Sequence, residues 1–181
     1  YPRRSSLDLD YIKTTRNKDP RAAADASQYP RQHGGALAAK MAVERAGLKP
    51  RDIGMVISGT STPDFTIPAE AAMIAAELGI TAPCFDINAA CSTFVVQLAF
   101  LAAMVPEKTP AYMLVVNPEN YTHVVDYNDR RVAPLFGDGC SAAVVSARVP
   151  AAKHFEAFGY GSHPGSWDRV KIPKGGHFFQ D

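Results

Sequence analysis

The chain has 181 residues, a formal net charge of +1, 46% hydrophobic residues and 20% charged residues, a balance typical of one globular domain with a sizeable core. The nearly neutral charge argues against a nucleic-acid binder that depends on phosphate neutralisation, and no apolar run is long enough to cross a bilayer. Three scattered cysteines are too few for a disulfide framework or a zinc site, and no apolar segment follows the first four residues as a signal peptide would require. We therefore expect a cytoplasmic protein without a metal site.

The first third of the chain predicts little regular structure before residue 32. Residues 1–31 are polar and basic, and we expect them to be irregular apart from a short helix near Leu7–Thr14. Residues 32–47 carry apolar side chains at helical spacing and end at Gly47, which predicts an amphipathic helix with a glycine stop. Its apolar positions are Leu37, Met41, Val43 and Ala46.

Predicted strands and helices alternate in the rest of the chain. Short apolar runs predict strands, which lie within Asp52–Gly59, Pro83–Asn88, Ala111–Asn117 and Ser141–Ala147. An alanine-rich helix is predicted from Pro68 to Leu78, with Gly79 ending it. Cys91–Val105 is apolar on nearly every side, which predicts a central buried helix. The alternation predicts an α/β fold with helices on the faces of the sheet.

Cys91 stands where a predicted strand passes into the predicted buried helix, in the segment Asp86-Ile87-Asn88-Ala89-Ala90-Cys91-Ser92. Small neighbours allow a substrate to approach the sulfur, and a helix start directs backbone N–H groups and a partial positive charge towards the thiol. That environment is expected to lower the thiol pKa, favour the nucleophilic thiolate and offer the Cys91 N–H to an oxyanion. The alternative is that Cys91 only packs, as most free cysteines do. We expect Cys84 and Cys140, which lack this setting, to be structural.

The stretch from Cys84 to Cys91 resembles the nucleophile segment of the β-ketoacyl-acyl-carrier-protein synthase III family, which consists of thiolase-fold ketosynthases. Three further sets of segments match that family in the same order along the chain. They are Ser61-Thr62-Pro63-Asp64 with Ile67-Pro68, Asp129-Arg130 with Leu135-Phe136-Gly137-Asp138-Gly139, and Gly161-Ser162 with Pro173. The chain therefore resembles the amino-terminal part of such a synthase.

This resemblance implies a thiolase-like layered αβαβα fold built from two similar halves, of which residues 1–181 form mainly the first, and a homodimer. It also implies an acyltransferase of fatty-acid or polyketide synthesis. Cys91 would accept an acyl group from coenzyme A, and the acyl group would condense with a malonyl thioester on acyl-carrier protein. No cofactor is expected besides these thioester substrates.

Four further residues are implied to bind substrate. Arg130 matches an arginine that contacts the adenine region of coenzyme A, although Arg131 beside it leaves a solvated surface charge as an equal alternative. Tyr11 matches the family's adenine-stacking aromatic residue, and Arg16 matches a nearby arginine after a one-residue shift. Ile67 stands where many members carry a phenylalanine that reaches the partner's acyl pocket, and its alternative is an ordinary core residue before a proline.

The Phe-Gly-Asp-Gly segment at 136–139 is expected to be a buried turn with a structural role, whether inside the family or as a simple glycine turn between strands. The family completes its site with a His and an Asn from its second half, which we expect outside these 181 residues, as we do the family's first strand. None of the chain's histidines stands in the family's His motif, and we interpret them as surface or loop residues. They are His33, His123, His154, His163 and His177.

Departures from the family pattern favour a divergent member. Ile67 alters the shape of the acyl pocket and predicts a primer other than acetyl. Together with the segment Asn117-Pro118-Glu119, which replaces a small glycine-containing turn, it indicates a member from secondary metabolism. The altered adenine site leaves an acyl-carrier donor open. Two other functions stay open as well. One is acyl transfer to an oxygen or nitrogen nucleophile, and the other is a non-catalytic partner subunit, against which the retained Cys91 argues.

Overall fold

The computed structural model describes residues 4–29 and 31–180, and the chain divides into two compact units. The sheet unit consists of Arg31–Glu119 and Cys140–Phe158. The terminal unit consists of Tyr1–Pro30, Asn120–Gly139 and Gly159–Asp181. The prediction that residues 1–181 form one half of a thiolase-like fold as a single domain stays a prediction.

Helices and strands alternate as expected over part of the chain. Helices α1 to α5 cover Leu9–Thr15, Ala22–Asp25, Arg31–Arg45, Glu70–Leu78 and Thr93–Ala102. Strands β1 to β6 cover Val56–Ser58, Cys84–Asp86, Met113–Asn120, Asp138–Val145, Val170–Lys171 and Phe179–Gln180. The alternation extends from α3 to β3, and no α-helix follows β3 in the described part of the chain. The helices and the strands β1 and β2 are shorter than predicted, whereas β3 and β4 are each one residue longer. The four-residue helix α2 lies where irregular structure was expected. No helix among the described residues is long and apolar enough to cross a membrane.

The main sheet has the strand order β2-β1-β3-β4 and belongs largely to the sheet unit. Strand β1 runs parallel to both of its neighbours, with Val56 opposite Cys84 on one side and Leu114 on the other. Parallel neighbours need crossover connections, and helices α4 and α5 supply them. The carboxyl ends of β1, β2 and β3 therefore lie along one edge of the sheet, and the chain after β2 carries Cys91 there.

Both faces of this sheet are covered by apolar side chains, because successive strand residues point to opposite faces. One face packs against α3 and α4 through Val56, Leu114 and Val116. The other face packs against α5 through Ile57, Met113 and Val115, which meet Leu101. The sheet unit thus has two helices on one side and the helix that follows Cys91 on the other.

The buried face of α3 differs from the predicted one. Val43 is buried as expected, but Leu37 and Met41 are 50% and 49% exposed. The residues that pack with Val43 are the small Ala36 and Ala39. The reason is a close approach of helices: a methyl group on Gly35 would lie 2.8 Å from Ile74 Cδ1 of α4. Only small side chains fit there, and the longer ones are left on the outer side.

Helix α5 is also not the centrally buried helix that its composition predicted. It is ten residues long, and its buried residues are Thr93, Gln97 and Leu101, which lie four apart on one stripe. Apolar residues on its other sides are exposed, among them Phe94, Val95 and Phe100. The sheet covers one side of the helix, and these three side chains on its other sides are 42–50% exposed.

Candidate active site

Cys91 lies in a single 3-10 turn, Ala90–Ser92, between the end of β2 and the start of α5. Its side chain is exposed, whereas Cys84 and Cys140 are half-buried. The strand-to-helix placement predicted for Cys91 is confirmed. Ala90 has φ 49°, a left-handed conformation that a residue with a side chain adopts only when its surroundings impose it.

The residues on either side of Cys91 hold the turn through short hydrogen bonds. Asn88 Oδ1 accepts the Ala90 N–H at 2.9 Å. Thr93 Oγ1 accepts the Ala89 N–H at 2.9 Å and donates to the Ala90 carbonyl oxygen at 2.7 Å. The Ser92 N–H donates to the Ala89 carbonyl oxygen at 3.0 Å. The turn therefore has its own polar frame, and the Cys91 thiol takes no part in it.

A second set of polar contacts lies beneath the turn. Gln97 is completely buried, and its Nε2 donates to the Ile87 carbonyl oxygen at 3.2 Å. Its Oε1 accepts from Asn117 Nδ2, within β3, at 3.0 Å. Sequence reasoning missed Thr93 and Gln97. The signal available was two polar residues four positions apart in an otherwise apolar helix.

The loop that follows β1 is held by Glu119 of β3. Glu119 Oε1 accepts the Ser61 N–H at 2.9 Å, and its Oε2 accepts from the hydroxyls of Thr60 and Thr62 at 3.2 and 3.3 Å. Sequence reasoning considered Glu119 only as part of an altered turn. Farther along the same loop, Ile67 is 83% exposed. The alternative that Ile67 is a core residue is therefore wrong for this structure.

The three residues expected at an adenine site belong to the terminal unit. Tyr11 is half-buried in α1, and Arg16 is exposed at the left-handed residue that ends that helix. Arg130 is exposed. Its neighbour Arg131 donates hydrogen bonds to the carboxylate of Asp129 from its side chain and from its backbone N–H. These bonds, chiefly those of the side chain, hold the pKa of Asp129 below the usual value. The other two predicted residues, Cys91 and Ile67, belong to the sheet unit.

Asp138 of the Phe-Gly-Asp-Gly segment is the acceptor at the centre of a hydrogen-bond network in the terminal unit. Its carboxylate accepts from the backbone N–H and hydroxyl of Ser6 at 2.6 and 2.7 Å, and from those of Thr122 at 2.9 and 2.6 Å. Burial, and then the charge of Asp138, raise the pKa of Tyr127 to about 12. These contacts support the structural role. The expected buried turn is incorrect in two respects. Asp138 and Gly139 are the first residues of β4, and the segment is not buried, since its first three residues are half-buried and Gly139 is exposed.

His123 corrects the interpretation of all histidines as surface or loop residues. It is buried in the 3-10 turn Tyr121–Val124, and its Nε2 lies 2.8 Å from Ser6 Oγ. The Asp138 network draws the Tyr121–Val124 turn inward through Thr122, which carries His123 with it. Among the described residues no group of three or more His, Cys, Asp or Glu side chains is arranged to hold a metal ion.

Comparisons with known proteins match the part of the chain that contains Cys91. The model of the family 3-oxoacyl-[acyl-carrier-protein] synthase III matches residues 85–164, which include Cys91. A β-ketoacyl-[acyl-carrier-protein] synthase III of Sulfurovum sp. is 43% identical over 138 residues, which is 75% of this chain and 40% of that protein.

Solved structures of similar enzymes share the fold. The 3-oxoacyl-[acyl-carrier-protein] synthase III from Aquifex aeolicus superposes with a TM-score of 0.79 at 28% identity, covering 86% of this chain and 50% of that one. The priming β-ketosynthase of the R1128 polyketide pathway gives 0.72 at 30% identity, covering 85% and 49%. The predicted thiolase-like α/β fold is therefore confirmed. The chain spans half the length, or less, of these proteins.

Proposed function

Because the chain belongs to the β-ketoacyl-[acyl-carrier-protein] synthase III family, we propose that it carries the nucleophile of a condensing acyltransferase, with Cys91 as the acyl acceptor. The observation that carries this proposal is the exposed Cys91 thiol on a polar-framed turn between a strand and a helix, inside the family-matched segment. No other cysteine of the chain has that setting.

The proposed reaction has two steps. The Cys91 thiolate attacks the carbonyl carbon of an acyl thioester and forms a carbon–sulfur bond to it. The bond from that carbon to the donor sulfur breaks, and the donor leaves as a thiolate that takes up the proton lost by Cys91. A malonyl-type thioester then loses carbon dioxide, and the carbanion left behind attacks the Cys91 thioester. A carbon–carbon bond forms, Cys91 departs as thiolate, and the product is a β-ketoacyl thioester in fatty-acid or polyketide synthesis.

The remaining site residues are assigned to substrate binding within the same proposal. Tyr11, Arg16 and Arg130 would contact the coenzyme A portion of the donor, and the exposure of both arginines leaves their guanidinium groups accessible to a phosphate. Ile67, almost fully exposed, would border an acyl pocket that a homodimer completes. Acyl-carrier protein would deliver the malonyl group.

The test is a condensation assay on the full-length protein, together with the second half that is expected to supply a His and an Asn. The protein is incubated with a series of acyl-coenzyme A thioesters and malonyl-acyl-carrier protein, and the β-ketoacyl product is measured by liquid chromatography and mass spectrometry. We expect product from the wild type and none from Cys91→Ala. Cys84→Ala is the matched control, since it removes a half-buried thiol of the same unit, and it should keep the activity.

Loss of product in both cysteine variants, or in neither, would contradict the proposal. A Cys91→Ala variant with unchanged activity would point instead to a subunit that only shapes another chain's pocket.

A further inference from the structure

Gln97 of α5 is completely buried close to the Cys91 turn in the sheet unit. Its side-chain amide forms hydrogen bonds to two other parts of the chain. Its Nε2 donates to the carbonyl oxygen of Ile87, the residue that directly follows β2, at 3.2 Å. Its Oε1 accepts from Asn117 Nδ2 of β3 at 3.0 Å. The amide thus connects the backbone before Cys91 to a strand on the other side of β1.

The chemistry of the contacts fixes the orientation of both amides. The Ile87 carbonyl can only accept, so the Gln97 amide must present its Nε2 to it and its Oε1 to Asn117. Asn117 must then present its Nδ2, and its Oδ1 is buried with no hydrogen-bond partner among the described residues. The side chain of Asn117 therefore takes its orientation from its bond to Gln97.

The backbone around these amides leaves no space for an alternative arrangement. A methyl group on Gly59 would lie 2.5 Å from Thr93 Cγ2 and 2.8 Å from Gln97 Nε2. The Ile87 N–H in turn donates to the Ser58 carbonyl oxygen at 2.9 Å. Ile87 is therefore held through its N–H by Ser58 and through its carbonyl oxygen by Gln97.

From this geometry we propose that Gln97 and Asn117 form a positioning pair for the nucleophile, an inference that rests on the proposed function of Cys91. The pair fixes the Ile87 carbonyl, and with it the start of the segment that places Ala90 in its left-handed conformation and turns the Cys91 thiol outward. Neither residue touches the thiol. They act through the backbone of residues 87–90.

The experiment compares Gln97→Met, Asn117→Ala and the double variant in the full chain. Acylation of Cys91 by an acyl-coenzyme A is followed by mass spectrometry to obtain kcat and KM, and alkylation of Cys91 by iodoacetamide is followed by peptide mapping. We expect each single variant to lower the kcat of acylation by roughly tenfold to a hundredfold with KM almost unchanged, since a small misplacement of a nucleophile costs that much. The rate of Cys91 alkylation should also fall in each single variant, and the variant with the larger loss of kcat should show the larger fall. The double variant should be no slower than Gln97→Met, because Asn117 acts through Gln97.

Thr109→Val is the matched control, because it removes a buried hydroxyl bond to Pro106 in the same unit without touching the turn. Unchanged kcat and alkylation in both single variants would overturn the inference, as would losses that Thr109→Val reproduces or that multiply in the double variant. Asn117 is partly exposed, so Asn117→Ala provides the test if Gln97→Met does not fold. If the wild type is not acylated at all, the proposed function fails, and the alkylation rates still decide the positioning role.

Discussion

Gly59 shows how strongly one residue constrains the candidate site. It follows β1 directly, and its Cα faces the Ile87 carbonyl oxygen, Thr93 and Gln97. Its φ is not in the left-handed region, so the position needs glycine for space and not for backbone conformation. The segment before Cys91 can approach β1 this closely only because residue 59 has no side chain.

A Gly59→Ala substitution is therefore expected to destabilise the protein by about 1–3 kcal/mol, because the added methyl group overpacks a site enclosed by backbone and buried side chains. Urea denaturation measures the change. Gly161→Ala is the control, since nothing lies within 4 Å of a methyl group there. Equal stabilities of the two variants would contradict the close approach at Gly59.

Tyr127 predicts how stability depends on alkaline pH. Its pKa rises from 10.0 to about 12, first through burial and then through Asp138. A folded-state value above the unfolded value means that the contribution is fully present below pH 10 and is lost as the pH rises through about 12. Because the group is only half-buried, solvent screening reduces the contribution to about 1 kcal/mol.

Urea melts between neutral and strongly alkaline pH should therefore show a stability loss that Tyr127→Phe removes in part. Tyr160→Phe, at an exposed position, is the control and should leave the loss unchanged. A wild type and a Tyr127→Phe variant with the same alkaline profile would contradict the assignment.

Some residues of the candidate site could be predicted from a local sequence pattern, and others could not. Cys91 could be predicted because small residues and a strand-to-helix transition surround it within a few positions. Gln97 and Glu119 could not, because their roles depend on partners from other elements, Asn117 for one and Thr60 to Thr62 for the other. His123 was misplaced for the same reason, since it lies in a turn held by Asp138 and contacts Ser6, both of which are distant in the chain.

At the scale of elements, α3 shows that the longest apolar side chains do not always mark the buried face. Ala36 and Ala39 pack with Val43 against α4, and Leu37 and Met41 remain outside. The periodic pattern correctly predicted a helix, and Gly47 ends it in the left-handed conformation as expected. The pattern could not show how closely α3 and α4 approach, which decides the face.

This arrangement predicts unequal costs for two truncations on α3. Val43→Ala should cost about 1–3 kcal/mol because it leaves a cavity between the helices. Leu37→Ala should change stability by about 0.5 kcal/mol or less, as expected for an exposed side chain. Chemical denaturation of the two variants measures both values, and a larger cost for Leu37→Ala would show that the predicted face is the buried one after all.

At the scale of the whole molecule, the exposed apolar surface of α5 is the main departure from an ordinary globular chain. Phe94, Val95 and Phe100 are exposed on one helix, and an open groove of about 980 Å³ runs along it, lined in part by Phe94 and Leu98. Contiguous apolar surface of this kind marks a place where another surface packs. The composition of α5 predicted burial on all sides, and only the side facing the sheet is buried by the described chain.

The 181-residue chain should therefore bind the dye 8-anilinonaphthalene-1-sulfonate, and the variant Phe94→Ser/Val95→Thr should bind it less without losing thermal stability. Leu9→Ser is the control, since Leu9 is exposed on the short helix α1 in the terminal unit. If Leu9→Ser lowered the fluorescence as much as the double variant did, the dye would not be reporting on α5.

Locating the acyl adduct on the protein is the most direct test of Cys91 as the acyl acceptor. The full chain is incubated with acyl-coenzyme A and with acyl-acyl-carrier protein, digested, and sequenced by tandem mass spectrometry. We predict one acyl group on the peptide that carries Cys91, none on Cys84 or Cys140, and no adduct in Cys91→Ala. An acyl group on another residue, or its persistence in Cys91→Ala, would contradict the account.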